Sequence, residues 1–151
     1  MTNVLPWIEG TAIATWVRES PSLWAYPTVL TLHTVGLGIV VGASAVVDLR
    51  LLGYGRRMPL PALAPLFRLM AYAFAVNAMT GVLLFMADAT TKARQPVFYV
   101  KLTCIFIALW CTVGTRRIVR GDVPDAGARQ ALASLLFWAA AIAAGRLMAY
   151  L

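Results

Sequence analysis

The chain has 151 residues, of which 61% are hydrophobic and only 13% charged, and its formal net charge is +7. That composition is too apolar for an ordinary soluble domain, and the length holds one compact helical membrane domain, 1–151, without a separate soluble one. The positive charge does not mark a nucleic-acid binder: the bases fall in short loops between apolar runs, where they identify the cytoplasmic side of a membrane.

Residues 5–18 carry Trp7, Ile8, Ala12, Ile13, Trp16 and Val17. This tryptophan-flanked amphipathic stretch predicts an interfacial helix lying on the bilayer. Glu9, Arg18 and Glu19 deny it the continuous apolar core of a cleavable signal peptide, so the first span is expected to act as its own insertion signal. That span is expected over about 21–47, with Ser20 as N-cap, Pro21 at the first helical position and Pro27 kinking the helix. Residues 23–47 contain no Asp, Glu, Lys or Arg. They amount to about 25 residues, or roughly 37 Å of helix at ~1.5 Å per residue, enough to cross a bilayer with some tilt.

The second span is expected over about 66–88, after Pro59, Pro61 and Pro65, with Arg68 in its first turn and Asp88 closing it. The third runs over about 96–116, interrupted by Lys101, and the fourth over about 130–151, interrupted by Arg146. Residues 121–125 form a polar turn between them. Cys104 and Cys111 lie two helical turns apart, too far to bridge, and they form no metal motif.

Charge placement sets the orientation. Arg50, Arg56, Arg57 and Arg68 follow the first span, and Arg116, Arg117, Arg120 and Arg129 follow the third. These eight bases stand against Asp48, Asp122 and Asp125, while the other connections carry few bases. The arginine-rich loops are therefore cytoplasmic. The fold class is an all-α integral membrane protein: a four-helix transmembrane bundle with an N-terminal interfacial helix, N-out and C-out, in a bacterial cytoplasmic membrane.

His33, the only histidine, sits about ten residues into the first span. An ionisable side chain inside a membrane is costly and marks a functional hypothesis by default. Helical spacing groups further residues with it. Lys101, Cys104, Ala108, Cys111 and Thr115 share one face of the third span, and Ala73, Asn77, Thr80 or Gly81, Leu84 and Asp88 one face of the second. Tyr26, His33, Gly36, Val40 and Ser44 lie beside Gly38 and Gly42 on the first, and Ala139, Ala143, Arg146 and Tyr150 align on the fourth. These faces, rich in small residues, are expected to point inward. The polar groups then gather in the outer half of the bundle, and the inner half holds no comparable set.

Lys101 and Arg146 outnumber the single nearby acid, Asp88, so the region invites an anionic partner such as porphyrin propionates or a lipid phosphate. His33 offers a nitrogen to iron or to a proton. The plainer alternatives are that both cations snorkel to the surface and that His33 bonds a neighbouring helix through Thr or Asn. Asp48 is expected to pair with Arg68, Arg116 or Arg117, and Met70, Met79 and Met86 to fill the core.

Residues 22–27 (SLWAYP), His33, residues 48–53 (DLRLLG), Thr80-Gly81 with Phe85, Phe98 with Lys101, and Gly145-Arg146 near Ala149-Tyr150 resemble a family of small bacterial four-span membrane proteins. That likeness implies the fold and no activity. A lone histidine in the first span, Thr80-Gly81 in the second and a lysine early in the third are more distantly similar to the bacterial membrane protoporphyrinogen oxidases and the four-span copper-resistance D-type proteins. The oxidase resemblance implies haem b, with His33 and Lys101 at functionally important positions. The chain departs from it in the added interfacial helix and in a fourth span ending in Arg146.

The function expected from these residues is haem-binding or redox-related. His33 is the candidate iron ligand, Lys101 and Arg146 hold propionates, Gly36 gives the ring room, and Asn77 joins the site. A bis-histidine iron would need a second copy of the chain, so a homo-oligomer and a redox partner are the expected associates besides the lipid bilayer. A non-enzymatic subunit or scaffold, packing with itself or a partner, is the alternative, and a conduit for a metal or small anion is a third.

Overall fold

The structure, a computed structural model, describes residues 4–121, 127–148 and 150. It is all-helical: α1 (Val4–Glu9), α2 (Ala12–Glu19), α3 (Tyr26–Leu51), a short 3-10 turn (Leu60–Leu63), α4 (Ala64–Met86), α5 (Ala89–Arg94), α6 (Pro96–Val119) and α7 (Gly127–Leu147). The helices α3, α4 with its preceding 3-10 turn, α6 and α7 are long and apolar enough to cross a membrane. The protein is thus a small four-span, multi-pass membrane protein with short N-terminal helices.

The helix starts follow the prolines. Pro27, Pro65 and Pro96 each fall in the first turn of α3, α4 and α6, where the donor a proline lacks would have had no partner in any case. This changes the reading of the first span. It begins at Tyr26 rather than near Pro21, so Pro27 opens the helix instead of kinking it. Ser20 closes α2, its N–H donating to the Trp16 carbonyl at 3.2 Å. At the other end of α3, Gly53 takes φ +99°, a conformation closed to most side chains. There the Tyr54 N–H reaches the Leu49 carbonyl at 3.0 Å and the Gly53 N–H reaches Arg50 at 3.2 Å, closing the helix on a left-handed residue.

The expected interfacial helix over 5–18 is two short helices. Thr11 breaks it, accepting from the Ala14 N–H at 3.4 Å as the N-cap of α2. Ala14 and Val17 are buried, and α2 packs on α4 while α1 packs on α5. The segment expected to close the second span at Asp88 instead turns there into α5. The polar turn expected over 121–125 lies outside the described residues beyond Gly121, as does part of the end of the fourth span.

Two hairpins make the bundle, α3 against α4 and α6 against α7, joined chiefly along α3 and α7. Each hairpin closes over a glycine. A Cβ on Gly36 would stand 3.1 Å from the Ala73 carbonyl and 3.3 Å from Asn77, so α4 lies directly on α3 there. A Cβ on Gly114 would collide with Gln130, whose amide donates to the Cys111 carbonyl at 3.3 Å and ties α7 to α6.

Two apolar clusters fill the centre. Val40, Ala73, Ala108 and Trp138 form one, and Ala43, Val47, Leu63, Phe67, Met70 and Val119 the other, nearer the arginine-bearing end. At the opposite end Phe85 of α4 stacks on Phe98 of α6 with ring centres 5.1 Å apart. Large apolar side chains such as Tyr72, Met79, Phe106 and Trp110 face outward, as a lipid-facing surface requires. Exposed Trp7, Trp16, Trp24, Tyr26 and Tyr99 collect at the end that carries the N-terminal helices. Both lysines, Lys92 and Lys101, are in that half, here termed the lysine half.

Candidate functional site

His33 packs against α4. Its Nδ1 lies 2.9 Å from the Asn77 carbonyl oxygen and 3.2 Å from Thr80 Oγ1. A carbonyl can only accept, so Nδ1 carries the proton and donates it. The Asn77 side chain returns the contact, its Nδ2 donating to the His33 carbonyl at 2.7 Å. Thr80 donates to the Val76 carbonyl at 2.7 Å, which leaves its oxygen free to accept from the imidazole. Gly81 makes room for the ring: a Cβ there would stand 3.0 Å from His33 Cε1. Asn77 and Thr80 are buried, His33 is half-buried, and among the described residues no protein group bonds its Nε2.

The two lysines of this half are placed differently. Lys92 Nζ donates to the Leu84 carbonyl at 2.6 Å, capping the end of α4. Burial holds its ammonium pKa below the usual lysine value, against the pull of nearby Asp88. Lys101 is half-buried and runs along Gly145, its Nζ 3.6 Å from where a Cβ on that glycine would lie. The structure thus brings His33, Asn77 and Lys101 into the same half, with Gly36 one turn from His33.

Other expected positions differ. Arg146 is exposed, as are Ala139, Ala143 and Tyr150, so the face of α7 read as inward is its outward face. The buried face is Ala131, Ser134, Trp138, Ala141 and Ala144. In a helix this rich in alanine, small size does not distinguish a face; one large tryptophan and one serine set the register. Gly38 and Gly42 are exposed with nothing within 4 Å of a Cβ, and Gly36 is filled by Ala73 and Asn77. The glycines therefore leave no slot for a flat ring between α3 and α4. The faces of α4 and α6 are as expected, with Ala73, Asn77, Thr80 and Leu84 buried on one and Cys104, Ala108, Cys111 and Thr115 on the other.

The arginine half is not empty of polar groups either. Ser44, Asp48, Thr115 and Ser134 are all fully buried there. Asp48 pairs with no arginine, for Arg68, Arg116 and Arg117 are exposed, and the ion pair found among the described residues is Arg18–Glu19 at 2.8 Å. Ser44, one helical turn earlier, instead donates to Asp48 Oδ2 at 3.0 Å. The spacing that could have revealed this is Ser44 to Asp48, four residues apart and so on one face of the helix.

At the mouth of the lysine half a cleft of about 480 Å³ opens between Glu9, Arg18, Tyr26, Asp88 and Lys92. Glu9 accepts from the Thr90 N–H at 2.6 Å, and that bond holds its carboxyl below the ordinary carboxylate value. It ties the N-terminal helices to α5. A smaller cleft of about 180 Å³ lies between Trp110, Gly114, Arg117 and Gln130. His33 lines neither. Among the described residues no three His, Cys, Asp or Glu side chains gather for a metal ion, so His33 is a solitary donor of that kind.

Comparison with known protein families, with curated proteins and with solved structures found no match for the chain. What the fold defines is the class: a four-span helical membrane protein with two separate polar seams, one on each side of its apolar centre.

Proposed function

We propose that this protein of the bacterial cytoplasmic membrane binds haem b through His33 in the lysine half of the bundle. The observation that supports this reading is the His33 ring, anchored through Nδ1 on the Asn77 carbonyl and carrying no protein partner on Nε2 among the described residues. Anchoring one ring nitrogen on a backbone carbonyl fixes the tautomer and points the other lone pair at a ligand, the arrangement that supports a metal-binding histidine.

The donor set fits an iron ligand with anionic propionates. His33 supplies the nitrogen, Asn77 and Thr80 orient it, and Lys101 and Lys92 supply positive charge in the same half. The space between the α3 glycines does not fit the ring, and Arg146 faces away from the bundle. The exposed edge of His33, rather than the interior, is where a flat ligand has access. A second copy of the chain contributing its own histidine there would complete an iron. When bound, haem b would supply one-electron chemistry.

A second reading has its own observation. Asn77 and His33 exchange hydrogen bonds through both backbone and side chain, the pattern of a polar clasp holding two helices in register. On that reading the protein is a membrane subunit or scaffold without a cofactor. Absorption spectra of the detergent-purified protein, oxidised and dithionite-reduced, separate the two. A Soret band with sharp reduced peaks that disappears in His33→Ala supports haem; a colourless wild type after haem is supplied during expression overturns it in favour of the scaffold.

A further inference from the structure

The reading built on His33 leaves a fully buried acid of the first span, Asp48, without a role. Asp48 is 0% exposed, one turn before the end of α3. Its Oδ2 accepts from Ser44 Oγ at 3.0 Å, and Ser44 Oγ lies 3.2 Å from Ser134 Oγ of α7. Its Oδ1 is buried with no partner, and so is Nε1 of Trp138, one turn beyond Ser134. Because α3 and α7 run antiparallel, Trp138, the serine pair and Asp48 form a column along one seam.

Among the described residues no positive charge pairs with the carboxylate. From α6 the seam receives Cys111 and Thr115, the latter donating to the Thr112 carbonyl at 3.0 Å. From α4 it receives Phe67 and Met70, with Arg68 turned outward. On α7 Arg129 is exposed, and on α3 itself Arg50 reaches away to the Met58 carbonyl at 2.7 Å. An ionised carboxylate fully buried on so few donors costs far more than the neutral acid.

We infer that Asp48 is a proton-binding site inside the membrane, with Ser44 and Ser134 as hydroxyl partners that reverse their donation when its charge changes. Taking up a proton forms an O–H bond at Oδ2 and discharges the carboxylate. That hydrogen is then donated to Ser44 Oγ, and the Ser44 hydroxyl turns to donate to Ser134. Losing the proton reverses both hydroxyls, so that Ser134 donates to Ser44 and Ser44 to the carboxylate. The spacing of the three oxygens accommodates either direction of donation.

Infrared spectroscopy of the purified protein in lipid tests this, with the aspartate side-chain carboxyls labelled with carbon-13. The expected result is a carbonyl-stretch band of a protonated, buried carboxyl at neutral pH, shifted by the label and by D₂O. Asp48→Asn removes it, and Ser134→Ala moves its frequency without abolishing it. A labelled wild type with no such band overturns the inference, as does a band that survives Asp48→Asn. Loss of the band on adding sodium chloride, but not choline chloride, at constant pH would also overturn it by making sodium the resident ion. If Asp48→Asn fails to assemble, the labelled wild type and Ser134→Ala still decide the outcome.

Discussion

The two polar seams of this bundle are built in opposite ways on one helix. On α3, His33 has its Nδ1 satisfied by α4 and returns a bond through its backbone, while part of the side chain remains accessible. Asp48, fifteen residues on, is sealed from the surface yet has one oxygen unbonded. In the first case the protein has used the polar group to hold two helices and left an edge free. In the second it has enclosed a charge-bearing group without supplying a counter-charge. A buried polar atom left unpaired costs more than a paired one gains, so the two seams respond differently to mutation.

The largest expected effect tests the seam between α3 and α7. Trp138 is almost fully buried among Val40, Ala73 and Ala108, and Trp138→Ala should cost about 3–5 kcal/mol in reversible unfolding from mixed micelles. A cost near zero would mean that the hairpins do not meet there. Next comes a direct contrast of the two polar groups. Asn77→Leu removes the side-chain bond to the His33 carbonyl and should cost about 1 kcal/mol in the same assay, in the range of interhelical hydrogen bonds within membranes. Asp48→Asn keeps the shape of the side chain and removes its ability to ionise, so in that assay it should cost less than Asn77→Leu. The reverse order would break the comparison.

The smallest effect lies outside the membrane. The Glu9 carboxyl is held below its ordinary pKa by the Thr90 N–H, so docking of the N-terminal helices is fully present above the undocked pKa. It is lost as pH falls through the docked value. The protection factor of the Thr90 amide, corrected for the intrinsic pH dependence of exchange, should therefore fall only once the pH drops below the ordinary carboxylate range, and Glu9→Gln should remove that fall while leaving the transmembrane amides protected.

Much of this architecture can be read from the residues, and the exceptions have identifiable causes. The spans are legible because uninterrupted apolar runs of that length have few other uses, and the inward stripe of α6 because polar and small residues recur along it at helical spacing. The start of α3 is less so, since Pro21 and Pro27 are both acceptable first-turn residues and only the turn over Ser22–Ala25 selects the second. The face of α7 is hidden by its alanines. Asp48 was drawn by the surrounding arginines toward a surface ion pair, when its spacing from Ser44 placed it on the core face. That His33 meets Asn77 and Thr80 follows from helical spacing, but the unpartnered Nε2 is a matter of side-chain orientation, on which a sequence is silent.

The uneven distribution of aromatic residues has a mechanical consequence. Trp7, Trp16, Trp24, Tyr26 and Tyr99 crowd one rim, while the other relies mainly on Arg56, Arg57, Arg68, Arg116 and Arg117. Indole and phenol rings prefer a fixed depth among the headgroups, whereas a guanidinium on a flexible stem tolerates several ångströms of travel. The bundle is moored rigidly at one surface and elastically at the other. A thinner or thicker bilayer is therefore absorbed at the arginine rim, and the His33 seam keeps its distance from the headgroups on its own side.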